Sequence, residues 1–258
     1  MSFDLEKVLE SKRALRRHLA ARPVAEKLRM LDALRERALT LRASSDPASV
    51  DTDAQTVFTI GHSNLEFARF VALLKQHDIQ AVADVRSSPY SQYNPQFNRE
   101  SLQRALREHG ISYVFLGQEL GARRPEPECY VNGRADYALI AQTPAFRRGL
   151  DRIIQGAAKM RVAMMCAEKD PLDCHRCILV SPRLRERGVE VLHILSDGSV
   201  ESQEQAERRL AQLFELSERE LFRSSDEIVA EAYRRQGERI AYQEEALALR
   251  ENPPKYGD

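Results

Sequence analysis

Residues 162–177, VAMMCAEKDPLDCHRC, decide how the rest of the sequence is organised. The segment begins with an apolar run, continues through a short polar loop and ends where a helical pattern starts. A continuous apolar run without alternation is typical of a strand that is buried on both faces of a parallel sheet. Three of the four cysteines and one of the six histidines follow within this segment. It therefore predicts a buried strand whose carboxyl end opens on a functional site.

Four other apolar runs lie before and after this strand in the sequence, and segments with helical spacing separate them. The predicted strands are 57–60, 81–85, 112–116, 162–166 and 189–195. The predicted helices are 65–76, with Asn64 as its N-cap, 99–109, 144–159 and 174–188, and residues 122–143 are expected to be irregular. Strands that alternate with helices predict a three-layer α/β/α sandwich with a mostly parallel, Rossmann-like sheet.

The ends of the chain have a different character from this alternating core. Two segments of helical spacing within 2–42 predict a helical hairpin, and the small polar residues 43–55 predict a linker. Helices are also expected over 201–216 and 226–250. We therefore predict a helical hairpin and linker at 1–55, an α/β core at 56–198 and a helical extension at 199–258. The terminal helices are candidates for homo-oligomer contacts.

Composition narrows the class of protein. The 39 basic residues balance the 39 acidic ones, which disfavours a surface built for nucleic acid or membranes, although the basic residues of the first helix leave a local nucleic-acid contact possible. No apolar run approaches the roughly 18 residues that span a bilayer. The charged start of the sequence does not resemble a signal peptide, so we expect a cytoplasmic protein. Its cysteines are then expected to be buried, metal-bound or reactive.

Polar and ionisable residues follow every predicted strand, whereas the strands themselves are apolar. In a parallel α/β sheet, ligands bind at the carboxyl ends of the strands. We expect the following residues at that edge: Gly61, His62, Ser63, Asp84, Arg86, Gln118, Glu119, Cys166, Glu168, Cys174, His175, Arg176 and Asp197. Asp84 and Arg86 point to the same side of their strand, so they form either an acid with an anion clamp or a structural ion pair.

The segment from Cys174 to Arg176 allows two kinds of chemistry. A thiol at a helix N-terminus beside histidine and arginine has a lowered pKa, which favours a thiolate nucleophile. Arg176 and the free helix N–H groups would also hold an anion. Alternatively, Cys166, Cys174, His175 and Cys177 have spacings that could complete a tetrahedral zinc site. Glu168 and Glu119 are candidate general acids or bases.

The loop 87–98, SSPYSQYNPQFN, is the remaining candidate binding segment. Its aromatic residues Tyr90, Tyr93 and Phe97 could stack on a base or simply tether the loop. Asn98 is a candidate substrate-binding residue.

In combination and order, five motifs resemble the domain-of-unknown-function family 488. They are TIGHSN, DVRSSPYS with Phe97-Asn98 downstream, FLGQELG, MCAEKDPLDCHR and HILSDG, and the resemblance covers roughly residues 56–197. The resemblance implies a Rossmann-type α/β protein of bacteria and phages without a settled activity. It also implies that the signature residues are Gly61, His62, Ser63, Asp84, Arg86, Cys166, Glu168, Cys174, His175 and Arg176. Cys177 is not part of that signature.

Three functional hypotheses follow. The first is an enzyme that acts on a small anionic substrate such as a nucleotide or a nucleic-acid base derivative, with a cysteine-dependent hydrolase or transferase as the candidate class. Its candidate catalytic residues are Cys166, Glu168, Cys174, His175 and His62. Its candidate substrate-binding residues are Gly61, Ser63, Asp84, Arg86, Arg176 and Asn98. The second hypothesis is a ligand-binding or regulatory module without catalysis, and the third is the zinc-stabilised site. The sequence identifies no cofactor.

Overall fold

A six-stranded, mostly parallel sheet organises the computed structural model of the chain. The structure describes residues 22, 26, 55–216 and 224–243. The chain divides into two compact units, Met1–Asp53 and Ala54–Asp258. In the first unit, Arg22 and Glu26 form an ion pair of 3.1 Å. The hairpin predicted at 2–42 and the linker at 43–55 otherwise lie outside the described residues, except for Gln55, and where the domains begin and end stays a prediction.

The strands of the main sheet are β1 (Thr56–Gly61), β2 (Ala81–Asp84), β3 (Ser112–Phe115), β6 (Val162–Cys166), β7 (Glu190–Ile194) and β8 (Val200–Ser202). A separate hairpin pairs β4 (Tyr130–Val131) with β5 (Arg134–Ala135). The order across the main sheet is β3-β2-β6-β1-β7-β8. All of its neighbouring pairs are parallel except the pair formed by β7 and β8.

The helices are α1 (Phe67–Gln76), α2 (Arg99–Glu108), α3 (Gly117–Leu120), α4 (Tyr137–Gln142), α5 (Pro144–Ala157), α6 (Ser181–Arg185), α7 (Gln203–Leu213) and α8 (Ser225–Ile240). Three 3₁₀ turns span Pro95–Phe97, Pro127–Cys129 and Pro171–Asp173, and a π-helical turn spans Arg176–Val180. Within the described residues, no helix is long and apolar enough to cross a membrane.

Alternate residues of the central strands contribute to cores on opposite faces of the sheet. On β6, Ala163 and Met165 pack with residues of α1 and α2, whereas Met164 and Cys166 pack with residues of α5. This two-sided burial is the physical reason for the continuous apolar run at the start of the defining segment. The predicted α/β sandwich with a mostly parallel sheet is confirmed.

Five local expectations differ from the structure. The helix predicted over 226–250 ends at Ile240, and residues 244–250 lie outside the described residues. Asn64 does not cap α1, because residues 62–65 form a tight turn in which the Leu65 N–H donates to the His62 carbonyl, and the helix begins only after Glu66. Residues 122–143 are not irregular throughout: they contain the β4–β5 hairpin and α4. The predicted helix 174–188 begins with the π-helical turn instead of an α-helical one. Strand β8 was not predicted.

The missed hairpin and helix both have signals in the sequence. Asn132 and Gly133 adopt φ values of 51° and 73°, which is the left-handed geometry that an Asn-Gly pair favours in a two-residue hairpin turn. Asp136 caps α4 by accepting hydrogen bonds from the N–H groups of Ala138 and Leu139.

Candidate functional site

The site lies where three neighbouring strands end. Since β6 lies between β2 and β1 in the sheet, the residues that follow these strands meet at one edge. They include Asp84 from β2, Cys166 from β6 and His62 just after β1. The residues that follow β3 and β7, on either side of these three strands, are engaged locally: Glu119 forms an ion pair with Arg152, and Asp197 accepts hydrogen bonds from Ser199.

A buried cluster of two thiols and one imidazole lies at the centre of this edge. The Nδ1 atom of His175 is 3.7 Å from the Cys166 Sγ and 3.9 Å from the Cys174 Sγ. The three atoms all lie within 4.8 Å of one another. Cys166 and Cys174 are only 3% and 1% exposed, so bulk water has almost no access to either sulfur. In the part of the chain that the structure describes, no other histidine, cysteine or carboxylate joins the group.

A backbone carbonyl fixes the orientation of the His175 ring. The Nε2 atom of His175 is 3.0 Å from the carbonyl oxygen of Val85. Because a carbonyl can only accept, Nε2 carries a proton and Nδ1 is the atom presented to the two sulfurs. Sequence reasoning missed this contact, since a backbone carbonyl leaves no signature in the residue types.

Arg176 is completely buried beside the cluster. Its guanidinium donates to the carbonyl oxygens of Glu168, at 2.8 Å, and Lys169, at 3.2 Å, while its Nε atom has no hydrogen-bond partner. Arg176 forms no ion pair with a carboxylate within the described residues. A buried cation without a carboxylate partner favours negative charge on the nearby sulfurs.

The two thiols titrate differently. Burial raises the pKa of Cys166 well above its ordinary value, and the neighbouring Cys174 raises it further. Burial also opposes ionisation of Cys174, but the hydrogen bond from Cys166 and the charge of Arg176 hold the pKa of Cys174 well below its ordinary value. Burial lowers the pKa of His175, yet the interaction with Cys174 outweighs it and raises that pKa. The two shifts act in the same direction, toward an ionised Cys174 and a proton retained on His175.

Glu168 borders the cluster on its outer side. Although the residue as a whole is exposed, its carboxyl group is desolvated next to Cys174, and both effects raise the pKa of Glu168. The loop that carries Glu168 is held in place from two sides. Arg176 donates to carbonyl groups of this loop. Gly61 lies so close to the loop that a Cβ atom on residue 61 would be 1.9 Å from the backbone carbonyl oxygen of Glu168.

A second network joins Asp84, Arg86 and His62. The Arg86 Nε and Nη2 atoms donate to the two Asp84 carboxylate oxygens at 2.9 and 2.6 Å, and Nη2 also donates to the Phe97 carbonyl. The Arg86 Nη1 atom donates to the His62 Nε2 at 3.1 Å. The structure therefore contains the ion pair that the sequence offered as one of two alternatives, and the guanidinium is fully engaged within the protein.

Both ring nitrogens of His62 likewise form hydrogen bonds within the protein. Its Nε2 accepts from Arg86, so Nδ1 carries the proton and donates to the Ser63 carbonyl at 2.8 Å. Its ring stacks on Phe97 with the ring centroids 4.3 Å apart. Burial, followed in size by the charge of Arg86 among the factors that lower it, brings the pKa of His62 to about 4. His62 is therefore neutral near pH 7 and supports the end of β1.

The remaining candidates lie at the margin of the site or outside it. Ser63 adopts a φ of 43° in the turn after β1, and the Asn98 side chain accepts a hydrogen bond from the Ser91 N–H within the loop. Cys177 faces away from the cluster, since its sulfur lies 3.7 Å from the Gln203 Oε1. A surface depression of about 300 Å³ between α4, α5 and α6 has no cluster residue in its lining.

These features define a class: an α/β domain with a buried Cys–Cys–His cluster at the carboxyl edge of a parallel sheet. The family model described as "Domain of unknown function DUF488" matches residues 66–181. Residues 66–181 therefore form a DUF488 domain, and the resemblance seen in the sequence motifs is confirmed. The match includes Asp84, Arg86, Glu168 and the whole cluster, and it begins just after the turn that holds His62. No curated protein and no solved structure matches the chain.

Proposed function

We propose that the protein is an enzyme that acts on a small anionic substrate at the edge where β1, β2 and β6 end, and that its chemistry depends on the ionised Cys174. The observation that carries this proposal is the position of Cys174 beside His175 and near the buried Arg176, which forms no ion pair with a carboxylate among the described residues. Perturbed ionisable groups concentrated at the carboxyl edge of a parallel sheet are typical of active sites. Hydrolase and transferase chemistry both fit a stabilised thiolate.

The substrate class follows from charge and shape at this edge. The buried guanidinium of Arg176 favours an anion nearby, as a phosphate or carboxylate group would supply. Tyr90 and Tyr93 are exposed on the loop that follows β2, where their rings are available to stack on a base. A nucleotide or a base derivative combines both features. Contact with nucleic acid, a homo-oligomer through the terminal helices and a cytoplasmic location stay predictions.

A second candidate function is a ligand-binding module without catalysis. It is favoured by the closed network of Asp84, Arg86 and His62, in which the polar atoms of the Arg86 and His62 side chains are satisfied internally. Such a site could hold a ligand through Ser63, Glu168 and the tyrosines without using Arg86 or His62 for proton transfer.

The test compares Cys174→Ser with Cys177→Ser. Both cysteines are buried and three residues apart, but only Cys174 belongs to the cluster. Turnover of nucleotides, nucleoside phosphates and simple esters is measured for each variant. We expect Cys174→Ser to lower kcat/KM by at least about 100-fold and Cys177→Ser to change it little. Equal activity of the two variants would contradict the proposal. Binding of a nucleotide without turnover in the native protein would instead support the binding module.

A further inference from the structure

We propose that Cys166, Cys174 and His175 bind a Zn²⁺ ion through their Sγ, Sγ and Nδ1 atoms, with a fourth coordination position directed toward Glu168. As a statement about catalysis this inference rests on the proposed function. As a statement about metal binding it stands on the geometry of the cluster alone.

The distances between the three atoms suit a tetrahedral zinc ion. Zinc lies about 2.3 Å from a thiolate sulfur and about 2.0–2.1 Å from an imidazole nitrogen, so tetrahedral angles place sulfur and nitrogen about 3.6 Å apart. The observed separations are 3.7 Å for Cys166 and 3.9 Å for Cys174. The two sulfur–nitrogen separations therefore need to change by only a few tenths of an ångström, and all three atoms already lie within 4.8 Å of one another.

The contacts of His175 are those of a metal ligand. A ligating histidine usually donates its other ring N–H to a carbonyl or carboxylate, which fixes the ring and its tautomer. In this chain the Nε2–H of His175 donates to Val85, and a metal that displaces the second ring proton would bind the Nδ1 lone pair, which faces both sulfurs. A histidine that acted only as a structural contact would have no need to present this atom to two thiols at once.

Charge and burial favour a metal ion over a free nucleophile. Two thiolates and one Zn²⁺ are electrically neutral together, which lowers the cost of burying the sulfurs at almost zero exposure. Arg176 lies beside the cluster and supports negative charge on both sulfurs. Coordination would also give the ionised Cys174 of the proposed function a role that its exposure of only 1% does not limit. Two thiolates with an imidazole are also a ligand set that zinc accepts in proteins.

The fourth position distinguishes a catalytic from a structural zinc site. Structural sites use four protein ligands, whereas catalytic sites use three and leave one position for water or substrate. Among the described residues the group has three members: Cys177 points toward Gln203, and the carboxylate of Glu168 lies near the sulfurs without joining the group. Because Glu168 is exposed, the open position would lie on the side that solvent and a substrate can reach.

The experiment measures metal directly and needs no substrate. Full-length protein purified under reducing conditions is analysed for zinc, stripped with a chelator and titrated with Co²⁺. We expect about one equivalent of zinc per chain, and Co²⁺ should produce thiolate charge-transfer absorption with d–d bands of tetrahedral intensity. Rebinding of Zn²⁺ should also raise the melting temperature, since an ion that binds the folded chain stabilises it.

Cys166→Ser, Cys174→Ser and His175→Asn test the ligands, and Cys177→Ser is the matched control. The three ligand variants should bind Co²⁺ more than about 100-fold more weakly, because even the loss of an outer-shell partner costs about 10- to 100-fold. Cys177→Ser should keep native affinity. Circular dichroism identifies any variant that fails to fold, and the titration of the native protein decides the question without variants.

Three outcomes separate this inference from the proposed function. Absence of zinc together with a Co²⁺ spectrum lacking thiolate charge transfer would overturn the metal site, as would an equal loss of affinity in Cys177→Ser. If the protein binds no metal but Cys174→Ser abolishes turnover, the enzyme proposal stands and the metal inference fails. If zinc binds through the three ligands and its removal leaves turnover unchanged, the metal site stands and its catalytic role fails.

Discussion

At the residue scale, three basic side chains of the predicted site have different charge environments in the structure. His62, Arg86 and Arg176 all follow strands at one edge of the sheet, and the sequence offered His62 for proton transfer and the two arginines for holding an anion. Arg86 is neutralised by Asp84, and His62 is held neutral by burial and by Arg86. Arg176, by contrast, stays charged while buried without a carboxylate partner among the described residues. The sequence placed these residues at one edge, but their pairing depends on side-chain geometry that residue types do not specify.

Gly61 provides a test of how tightly the site is built. A Cβ atom at this position would lie 1.9 Å from the Glu168 carbonyl oxygen and 3.1 Å from the Arg176 Nη2. Gly61→Ala must therefore displace the loop that borders the cluster. We expect a loss of at least about 3 kcal/mol in the free energy of unfolding, at the upper end of the overpacking range, measured by urea denaturation.

Gly156→Ala is the matched control for this substitution. Gly156 lies near the end of α5, where an added Cβ would be 3.6 Å from the nearest atom, a Val162 side-chain carbon, which is an ordinary contact. Alanine is favoured over glycine in a helix, so this variant should gain about 0.5–1 kcal/mol. If Gly61→Ala were as stable as Gly156→Ala, the close approach of β1 to the Glu168 loop would not exist in solution.

At the element scale, the long periodic segments were predictable and the irregular ones were not. Strand β6 has the predicted bounds, and α5 begins at the predicted Pro144. The segment after Cys174 differs because it contains Pro182, whose ring would clash with the carbonyl four residues earlier in a regular α-helix. The structure widens this turn: the N–H of Ser181 donates to Arg176, and the Ser181 hydroxyl donates to the same carbonyl at 2.7 Å. Periodicity does not reveal a π-helical turn.

Helix α7 packs against the segment that contains the π-helical turn, and the contribution of this packing to the free energy of unfolding can be measured. Leu210 is fully buried in a core cluster with Leu172, Cys177, Ile178 and Ala232, which joins α7 and α8 to the segment that carries the site. Leu210→Ala should cost about 2–5 kcal/mol of unfolding free energy, because the cavity lies between elements that cannot collapse onto it. Leu213→Ala on the same helix removes a half-exposed side chain and should cost no more than about 0.5 kcal/mol. Similar losses in both variants would mean that α7 does not pack on the turn.

At the scale of the whole molecule, strand order creates the site. The sequence predicted which residues follow each strand, but it did not predict that β6 lies between β2 and β1, because crossovers of similar length allow several orders. That order brings Val85 within hydrogen-bond distance of His175 and sets the Glu168 loop against Gly61. The same order leaves Glu119 after β3 and Asp197 after β7, on either side of the three central strands. There Glu119 forms an ion pair with Arg152, and Asp197 accepts a hydrogen bond from Ser199. Local sequence patterns therefore predicted which residues lie at the carboxyl edge of the sheet. The strand order determines which of them come together in the site.

The whole molecule should also lose stability in mild acid, and His193 provides a way to measure part of this loss. His193 is fully buried on β7, where its Nε2 donates to Gln203 and its Nδ1 accepts from Thr59, both at 2.7 Å. Burial, reinforced by the charge of Arg176, lowers the pKa of His193 from 6.5 to about 4.

Below about pH 6.5 the unfolded chain binds a proton at residue 193 that the folded chain does not bind until the pH falls to about 4. The unfolding free energy should therefore fall by up to about 3 kcal/mol across this window because of His193, and the full contribution should return above pH 6.5. His193→Gln keeps a side chain that can donate and accept but does not titrate. The unfolding free energies of both proteins are measured with urea between about pH 7 and about pH 4.5. As the pH falls, the native chain should lose more unfolding free energy than His193→Gln does. The contribution of His62 is common to both proteins and cancels, so parallel curves would mean that residue 193 is not a buried neutral histidine.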